Sequence, residues 1–326
     1  MNISVVIPSW NGRALLPAVL AALERQSHRP AEVLVVDDGS RDDSVRWLHK
    51  HHPGVRPIVL DRNRGFAAAA NVGIGAAENE LVALLNNDAE PESDWLQSLA
   101  QAARTDSGRT ASWACVLLRA GAANQTGGGK PRPYEAEKPV AASLESGGLR
   151  LLASGFGAPH LVGTAAGAVA DQEVFGASGG AMLLKRPEFL TAGEFDVRFF
   201  GGFEDVDLAC RLRLRGGQCR LVGGARVRHA GGGSFGRRRG LRQRCEFRNA
   251  ACIALKNFPP HLLRRCWGAV AGAHCRALGY LVSHGHPLAA LRGEIDLWRW
   301  LPQLRRDRSM VQRVVTDPFA LDRWID

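Results

Sequence analysis

Glu32-Val33-Leu34-Val35-Val36-Asp37-Asp38-Gly39-Ser40 is the stretch on which the fold turns. Its apolar run, Glu32–Val36, is short, rich in β-branched residues and stops abruptly at two carboxylates, a glycine and a serine. Such a run reads as a strand buried on both faces, and the polar tip as the turn that leaves it. Working outward, Ile3–Ile7, Pro57–Leu60 and Leu81–Leu85 have the same character, and the last ends at Asn86-Asn87-Asp88. Between them lie helical patterns. Ala14–Leu23 spaces Leu16, Val19, Leu20 and Leu23 three and four apart, Asp42–His51 follows Ser40 as a candidate N-cap, and Phe66–Ala77 and Pro91–Ala103 complete the set. Strands alternating with helices predict an α/β fold, a mainly parallel sheet flanked by helices. Ligands of such sheets bind beyond the carboxyl ends of the strands. The polar residues at those ends are Ser9, Asn11, Asp37, Asp38 and Asn86–Asp88.

The chain has 326 residues, 45% of them hydrophobic and 23% charged, which excludes a disordered or collagen-like chain. No uncharged apolar stretch approaches the roughly 20 residues of a membrane span. The N-terminus reads as a strand that starts at once and not as a signal peptide. Seven cysteines without a Cys-x-x-Cys pair point to reduced thiols in a cytosol and away from a zinc site. The net charge is +10 and unevenly placed: residues 1–234 hold 25 basic and 25 acidic residues, residues 235–326 hold 17 and 7. A basic tail beside a neutral body suggests an anionic surface as partner, against the plainer reading of a solvated arginine-rich helical face.

Beyond residue 105 the alternation breaks. Glycines and prolines crowd 121–142, which reads as a mobile loop. Val174–Lys185 is glycine-rich and then apolar, Leu208–Leu214 is helical and basic, and after Phe235 the chain is mainly helical with breaks expected at Pro259-Pro260, Pro287 and Pro302. The expected organisation is an α/β domain over 1–234, with halves 1–105 and 106–234, and a basic helical region over 235–326.

Four places could carry chemistry. Asp37 and Asp38 could accept hydrogen bonds from a base or ribose, although Asp-Gly-Ser is also a turn sequence. Asn86-Asn87-Asp88 offers oxygen ligands to a hard cation, or simply a strand-end turn. In Phe203-Glu204-Asp205-Val206-Asp207, acids next to apolar walls could have the raised pKa of a general base. They could equally be favourable charges at a helix N-terminus, the stronger reading for Asp207. His229 enters a glycine-rich loop as a candidate metal ligand, where the plain alternative is a surface histidine.

In their order and spacing these segments resemble the family 2 glycosyltransferases: Pro8-Ser9-Trp10-Asn11, Val35–Ser40, Asn63-Arg64-Gly65-Phe66-Ala67 with Asn71, Leu85–Asp88, Gly176–Leu184, Phe203–Leu208 and His229. The rhamnosyltransferase-like branch looks most similar. The resemblance covers residues 3 to about 258 and is thinnest over 121–170 and at the C-terminus. It implies the GT-A fold, a Rossmann-like nucleotide-diphospho-sugar transferase. With it come a nucleoside-diphosphate sugar donor (dTDP- or UDP-linked), a divalent metal (Mg2+ or Mn2+) and inversion at the anomeric carbon. By position, Pro8, Ser9, Asn11 and Asp37 would hold the nucleoside, and Asn63, Gly65, Phe66, Asn71 and Asn87 would line the donor pocket. Gly179 and Gly180 would lie near donor sugar and acceptor. Asp88 matches the last acid of the Asp-x-Asp metal motif, with Asn86 replacing the first, and His229 completes the metal site in some members. Asp205 matches the catalytic base and Glu204 its neighbour.

The resemblance further implies a glycan or lipid-linked acceptor. With the aromatic and basic composition of Arg292–Val315, it places the protein in the cytoplasm, peripherally on the inner face of the cytoplasmic membrane. No nucleic acid is expected as partner. Two rivals remain. A sugar-1-phosphate nucleotidyltransferase would want a glycine-rich basic loop where Pro8–Arg13 stands. A non-catalytic basic nucleic-acid- or membrane-binding protein would leave Asp88 and Asp205 without a use.

Overall fold

The computed structural model describes residues 1–106, 108–119, 144–230 and 240–326. The loop expected over 121–142 and the glycines after Ala230 lie outside them. In the first half the chain runs β1 (Ile3–Ser9), α1 (Leu16–Glu24), β2 (Glu32–Asp37), α2 (Ser44–His51), β3 (Arg56–Val59), α3 (Phe66–Ala76), β4 (Leu81–Leu85), β5 (Ala89–Pro91) and α4 (Trp95–Arg104). Then follow β6 (Thr110–Arg119), β7 (Leu144–Ser146), β8 (Leu149–Leu151), β9 (Gly157–Pro159), β10 (Gln172–Val174), β11 (Ala181–Lys185), α5 (Arg186–Thr191), α6 (Glu204–Leu214) and β12 (Gln218–His229). Three helices close the chain: α7 (Leu241–Asn257), α8 (Pro260–Ser283) and α9 (Pro287–Arg313).

One sheet organises the molecule, in the order β10-β12-β6-β11-β4-β1-β2-β3. The β4-β1-β2-β3 half is parallel throughout, as the alternation predicts. β11 is antiparallel to β4 and β6, while β12 runs parallel to β6. β1 shows why the sheet is covered twice. Val6 joins the core under α3, whereas Ile3, Val5 and Ile7 join the core under α1 and α4, the period of two expected of a strand.

A third core fuses the basic C-terminal region to the rest. Phe199, Val206, Cys210 and Leu214 pack with Ile253, Leu262, Leu297, Leu304 and Val311 of α7, α8 and α9, and with Phe258 between α7 and α8. Beneath it runs a buried ionic network. Asp207 is fully buried, and its Oδ2 accepts from Arg211 Nε at 2.9 Å and Lys256 Nζ at 3.0 Å, while Oδ1 accepts from Asn257 Nδ2 at 2.9 Å. Lys256 also reaches Asp196 at 2.9 Å, and Arg198 bridges Asp196 to Asp307 of α9. Burial alone would raise the Asp207 carboxyl, but the Arg211 and Lys256 charges hold it low. Asp207 is therefore a structural anchor and more than an N-terminal helix charge.

Several local expectations are corrected. Ser40 does not cap α2, which begins at Ser44 with no side-chain cap bond. The Ser40 hydroxyl instead accepts from Asn11 N at 2.7 Å. Pro91 ends a short strand paired with β12, so α4 starts only at Trp95. α6 starts at Glu204, which puts Glu204 and Asp205 in its first turn. Pro302 lies inside α9 and does not end it. All seven cysteines are free, six of them buried.

Candidate active site

The site grows from four strand ends. β1 and β2 deliver Ser9 and Asp37 side by side, in register as parallel partners. The Asp37 Oδ1 accepts from Ser40 N at 2.9 Å, and its Oδ2 is buried with no partner. Asn11 adopts φ +49° and ties the two rim loops together, its Oδ1 accepting from Arg41 N at 2.8 Å. Asn11, Asp37, Ser40 and Arg41 line an open cleft of ≈ 1500 Å3 with Trp10, Arg46, Arg62 and Asn63. Asn63 Oδ1 is a second buried acceptor without a partner. Two residues of the cleft wall thus each keep an acceptor without a partner, the kind of group that a ligand with N–H or O–H donors satisfies.

Asp38 faces away from that cleft and has a different task. It accepts from the backbone N–H groups of Arg64 (2.7 Å) and Gly65 (2.8 Å), fixing the loop that enters α3. Burial outweighs those bonds and lifts its pKa to about 6. Gly65 sits at φ +90° with its α-carbon pressed on Phe200, so that a Cβ there would lie 2.4 Å from the Phe200 carbonyl oxygen. Phe66 packs near Phe195. The Asn71 amide is taken up by the backbone of Phe195, donating to its carbonyl at 2.8 Å and accepting from its N–H at 3.0 Å.

β4 delivers Asn86-Asn87-Asp88. Asn87 is buried and donates to Ser9 Oγ at 3.0 Å, which joins this segment to the Pro8-Ser9 end of β1. The antiparallel partner β11 sets Ala181 opposite Leu85, so Gly180 O accepts from Asn86 N at 3.0 Å. One residue earlier, Gly179 N donates to Asp205 Oδ2 at 2.9 Å. The Gly179-Gly180 backbone thus links the carboxylate of α6 to the strand end that carries Asp88.

Asp205 is half-buried and Glu204 almost wholly buried, its Oε2 without a partner. Burial raises the Asp205 pKa against the N–H bonds from Gly179 and Val206. For Glu204, burial and then the neighbouring Asp205 charge raise the pKa to about 8. Burial thus raises both carboxyls of an adjacent pair, which disfavours two charges side by side.

His229 arrives at the end of β12. Its register partner on β5 is Ala89, next to Asp88, and Ala230 N donates to Asp88 O at 3.0 Å. His229 Nε2 lies 3.3 Å from Asp88 Oδ1 and 3.4 Å from Asn86 Nδ2, while Nδ1 lies 3.0 Å from Glu145 Oε2. Burial pulls the imidazole pKa down, but hydrogen bonds to Asp88 and Glu145 outweigh it and lift it to about 10. Among the described residues no group of three or more His, Cys, Asp or Glu is disposed as a ready metal cage. The donor set nonetheless suits a cation. Asp88 offers a carboxylate, and His229, oriented by the Glu145 carboxylate behind it, would offer a ring nitrogen once a bound cation displaced its proton; Mg2+-type ions complete their shell with phosphate and water.

Sequence reasoning thus brought together residues near 9, 37, 88, 179, 205 and 229, and the structure gathers them at one rim. It missed Glu145, which sits in the thinly matched region, and Asn249 and Arg248 of α7. Asn249 Nδ2 donates to the carbonyls of Phe199 (2.9 Å) and Gly202 (2.7 Å), and Arg248 reaches those of Arg198 and Phe199. An Arg-Asn pair on a helix carries no sequence signal of that use.

This arrangement, strand-end ligands on a mixed sheet with a carboxylate at the start of a following helix, defines the GT-A class of nucleotide-sugar folds. It superimposes on the crystal structure of GalNAc-T7 with UDP, GalNAc and Mn2+ with a TM-score of 0.58 at 16% identity, over 88% of this chain and 58% of that one. It matches TarS 1-349 of S. aureus in complex with UDP-GlcNAc at 0.54 and 15%, over 98% and 85%. Residues 4–120 match the family model for Glycosyl transferase family 2, and the chain carries a domain of that family. Among curated relatives, an uncharacterised glycosyltransferase of Nostoc sp. is 34% identical over 91 residues, 27% of this chain and 28% of that protein. The undecaprenyl-phosphate 4-deoxy-4-formamido-L-arabinose transferase of Pseudomonas syringae is 39% identical over 95 residues, 26% and 28%. The succinoglycan biosynthesis protein ExoO of Rhizobium meliloti is 33% identical over 103 residues, 31% and 30%. The matches span less than a third of these relatives.

Proposed function

We propose that this protein is an inverting glycosyltransferase. It moves a sugar, rhamnose in the reading the sequence favours, from a dTDP- or UDP-linked donor to a hydroxyl of a glycan or lipid-linked acceptor. The observation that carries the reading is the Gly179-Gly180 bridge. Through it Asp205 and the Asp88 strand end are two hydrogen bonds apart, which suits a base and a leaving-group site on either side of one sugar.

In this reading the Asp37 and Asn63 acceptors bind the nucleoside, and Ser9, Asn11 and Asn87 shape its floor. A divalent cation, Mg2+ or Mn2+, held by Asp88 and His229, would neutralise charge on the diphosphate leaving group. Support for a cation comes from the solved fold neighbours that contain Mn2+ beside a nucleotide or nucleotide sugar. Glu145 orients the imidazole. Asp205 takes the proton of the acceptor hydroxyl as its oxygen bonds to the anomeric carbon. The bond from that carbon to the β-phosphate oxygen breaks, and the nucleoside diphosphate leaves. One base and one displacement invert the centre. Glu204, kept neutral, lowers the negative charge around the acceptor oxygen.

The place of work follows from a lipid-linked acceptor: the cytoplasm, at the inner face of the cytoplasmic membrane. The decisive experiment incubates the protein with nucleotide sugars, Mn2+ and an acceptor panel and measures the phosphate product. Release of nucleoside diphosphate with sugar transfer supports the reading. Release of pyrophosphate assigns the protein to the nucleotidyltransferases instead.

A further inference from the structure

We propose that the outward face of α9 is a docking surface for a bilayer containing anionic phospholipid. This deepens the membrane-side part of the reading above and rests on it only for the purpose of docking.

The four residues Leu288, Leu291, Ile295 and Trp298 stand three, seven and ten positions along the helix from the first, so they share one stripe. Their exposures are 64%, 56%, 40% and 70%. At 1.5 Å per residue the stripe is about 15 Å long. An amphipathic helix normally buries its apolar side against the core. α9 does bury one, through Ala289, Ala290, Gly293, Leu297, Leu304 and Val311. It therefore has two apolar faces, and the second stands exposed among the described residues.

Charge says what meets it. Arg292, Arg299, Arg305, Arg306 and Arg313 are all exposed on α9 and interleave with the stripe. The three acids of α9 are occupied elsewhere. Glu294 accepts from His274 at 2.6 Å, Asp296 holds Arg244 and Arg248, and Asp307 holds Arg198. Among the described residues of α9, the outward face therefore presents arginine and apolar side chains while the helix's own carboxylates are paired elsewhere. A second copy of this chain would bring its own arginines against these. A headgroup layer supplies the opposite charge and an apolar depth for Trp298 and the leucines at once. No helix of the described chain is long and apolar enough to cross a membrane, so the contact is one of lying on the surface. On α8, Arg264 and Trp267 repeat the same exposed pairing one turn apart.

The test is co-sedimentation of the full chain with vesicles of neutral phosphatidylcholine, and of the same lipid with about a third phosphatidylglycerol. The expected result is binding only to the anionic vesicles, weakening as salt rises. Replacing Arg292, Arg299 and Arg306 together by Gln should reduce the partition constant about 100-fold, at about fivefold per arginine. The double variant Leu291→Asn, Trp298→Ser should reduce it at least tenfold on apolar loss. Binding of the wild type and both variants alike, or no binding at low salt, overturns the proposal. So does a concentration-dependent dimer that the apolar double variant abolishes while vesicles bind nothing. Donor turnover on a soluble acceptor is measured alongside. Intact turnover in variants that fail to bind separates docking from catalysis, and docking without any turnover sinks the enzymatic reading while leaving this one standing.

Discussion

The side-chain amide of Asn249 lies 2.7 Å from the carbonyl oxygen of Gly202, and so a helix of the C-terminal region holds the loop that delivers Glu204 and Asp205. The loop needs holding. Phe200 and Phe203 both adopt positive φ, +63° and +70°, a conformation that costs a non-glycine residue about 1 kcal/mol or more. Its carbonyls point at Asn249 and Arg248 instead of into a regular ladder.

Replacing Asn249 by Ala takes the side-chain donor from the Gly202 carbonyl and one of the donors from that of Phe199, which keeps Arg248. The expected cost is about 1–3 kcal/mol of stability, read as a lower melting temperature. Turnover should fall further than donor affinity does, because the loop bears the proposed base while the proposed nucleoside cleft lies on the other strand ends.

Asp205→Asn keeps the size of the side chain and removes its basicity. Turnover should drop by at least ~10²-fold, while the affinity for a nucleoside diphosphate, measured by calorimetry, stays within a few-fold. Wild-type turnover in this variant would remove Asp205 from the role of base.

Glu204 gives a pH signature. Its carboxyl titrates near 8 in the fold against an ordinary 4.5. A raised carboxyl pKa means that the folded state binds the extra proton. Its contribution to stability is complete below about pH 4.5 and is lost as pH rises through about 8. Glu204→Gln mimics the neutral form at every pH. Urea unfolding at pH 5, 7 and 9 should therefore show the variant gaining on the wild type as pH rises, and equal curves at all three values would refute the assignment.

Lys256 sits between Asp196 and Asp207, both held below the ordinary carboxylate range by their cationic partners. Lys256→Met strands part of that buried negative charge. A loss of about 3–5 kcal/mol is expected, measured by chemical denaturation.

Glu145→Gln tests the support behind His229. The imidazole would lose the carboxylate that fixes its orientation, and Mn2+ affinity should fall about 10–100-fold, read by the electron-spin signal of free Mn2+ without any turnover. Unchanged affinity would detach Glu145 from the cation site.

The parallel half of the sheet was legible because each strand is a continuous apolar run ending in turn residues, a pattern set locally. Leu81–Leu85 is predicted and found with the same ends. The tie between Asp205 and Gly179 was not legible, because it depends on β11 running antiparallel to β4, which no local periodicity encodes. Ser40 misled for a related reason. Its residue type suits a cap, but a neighbouring loop claims its hydroxyl. Pro302 misled because a helix anchored along one side by Leu297, Leu304 and Val311 tolerates the loss of one internal bond. Asp207 read as a helix-end charge until α7 brought Lys256 to it across 49 residues of sequence.

The contact of Gly65 with Phe200 sets a limit on how this site can be altered. A methyl group at position 65 would act as a wedge, prising the entrance of α3 away from the segment that leads into α6. Any redesign of nucleoside preference in the proposed site must therefore leave that glycine untouched and work through its neighbours, of which Asn63, a cleft-lining residue with an unpartnered oxygen, is the natural first choice.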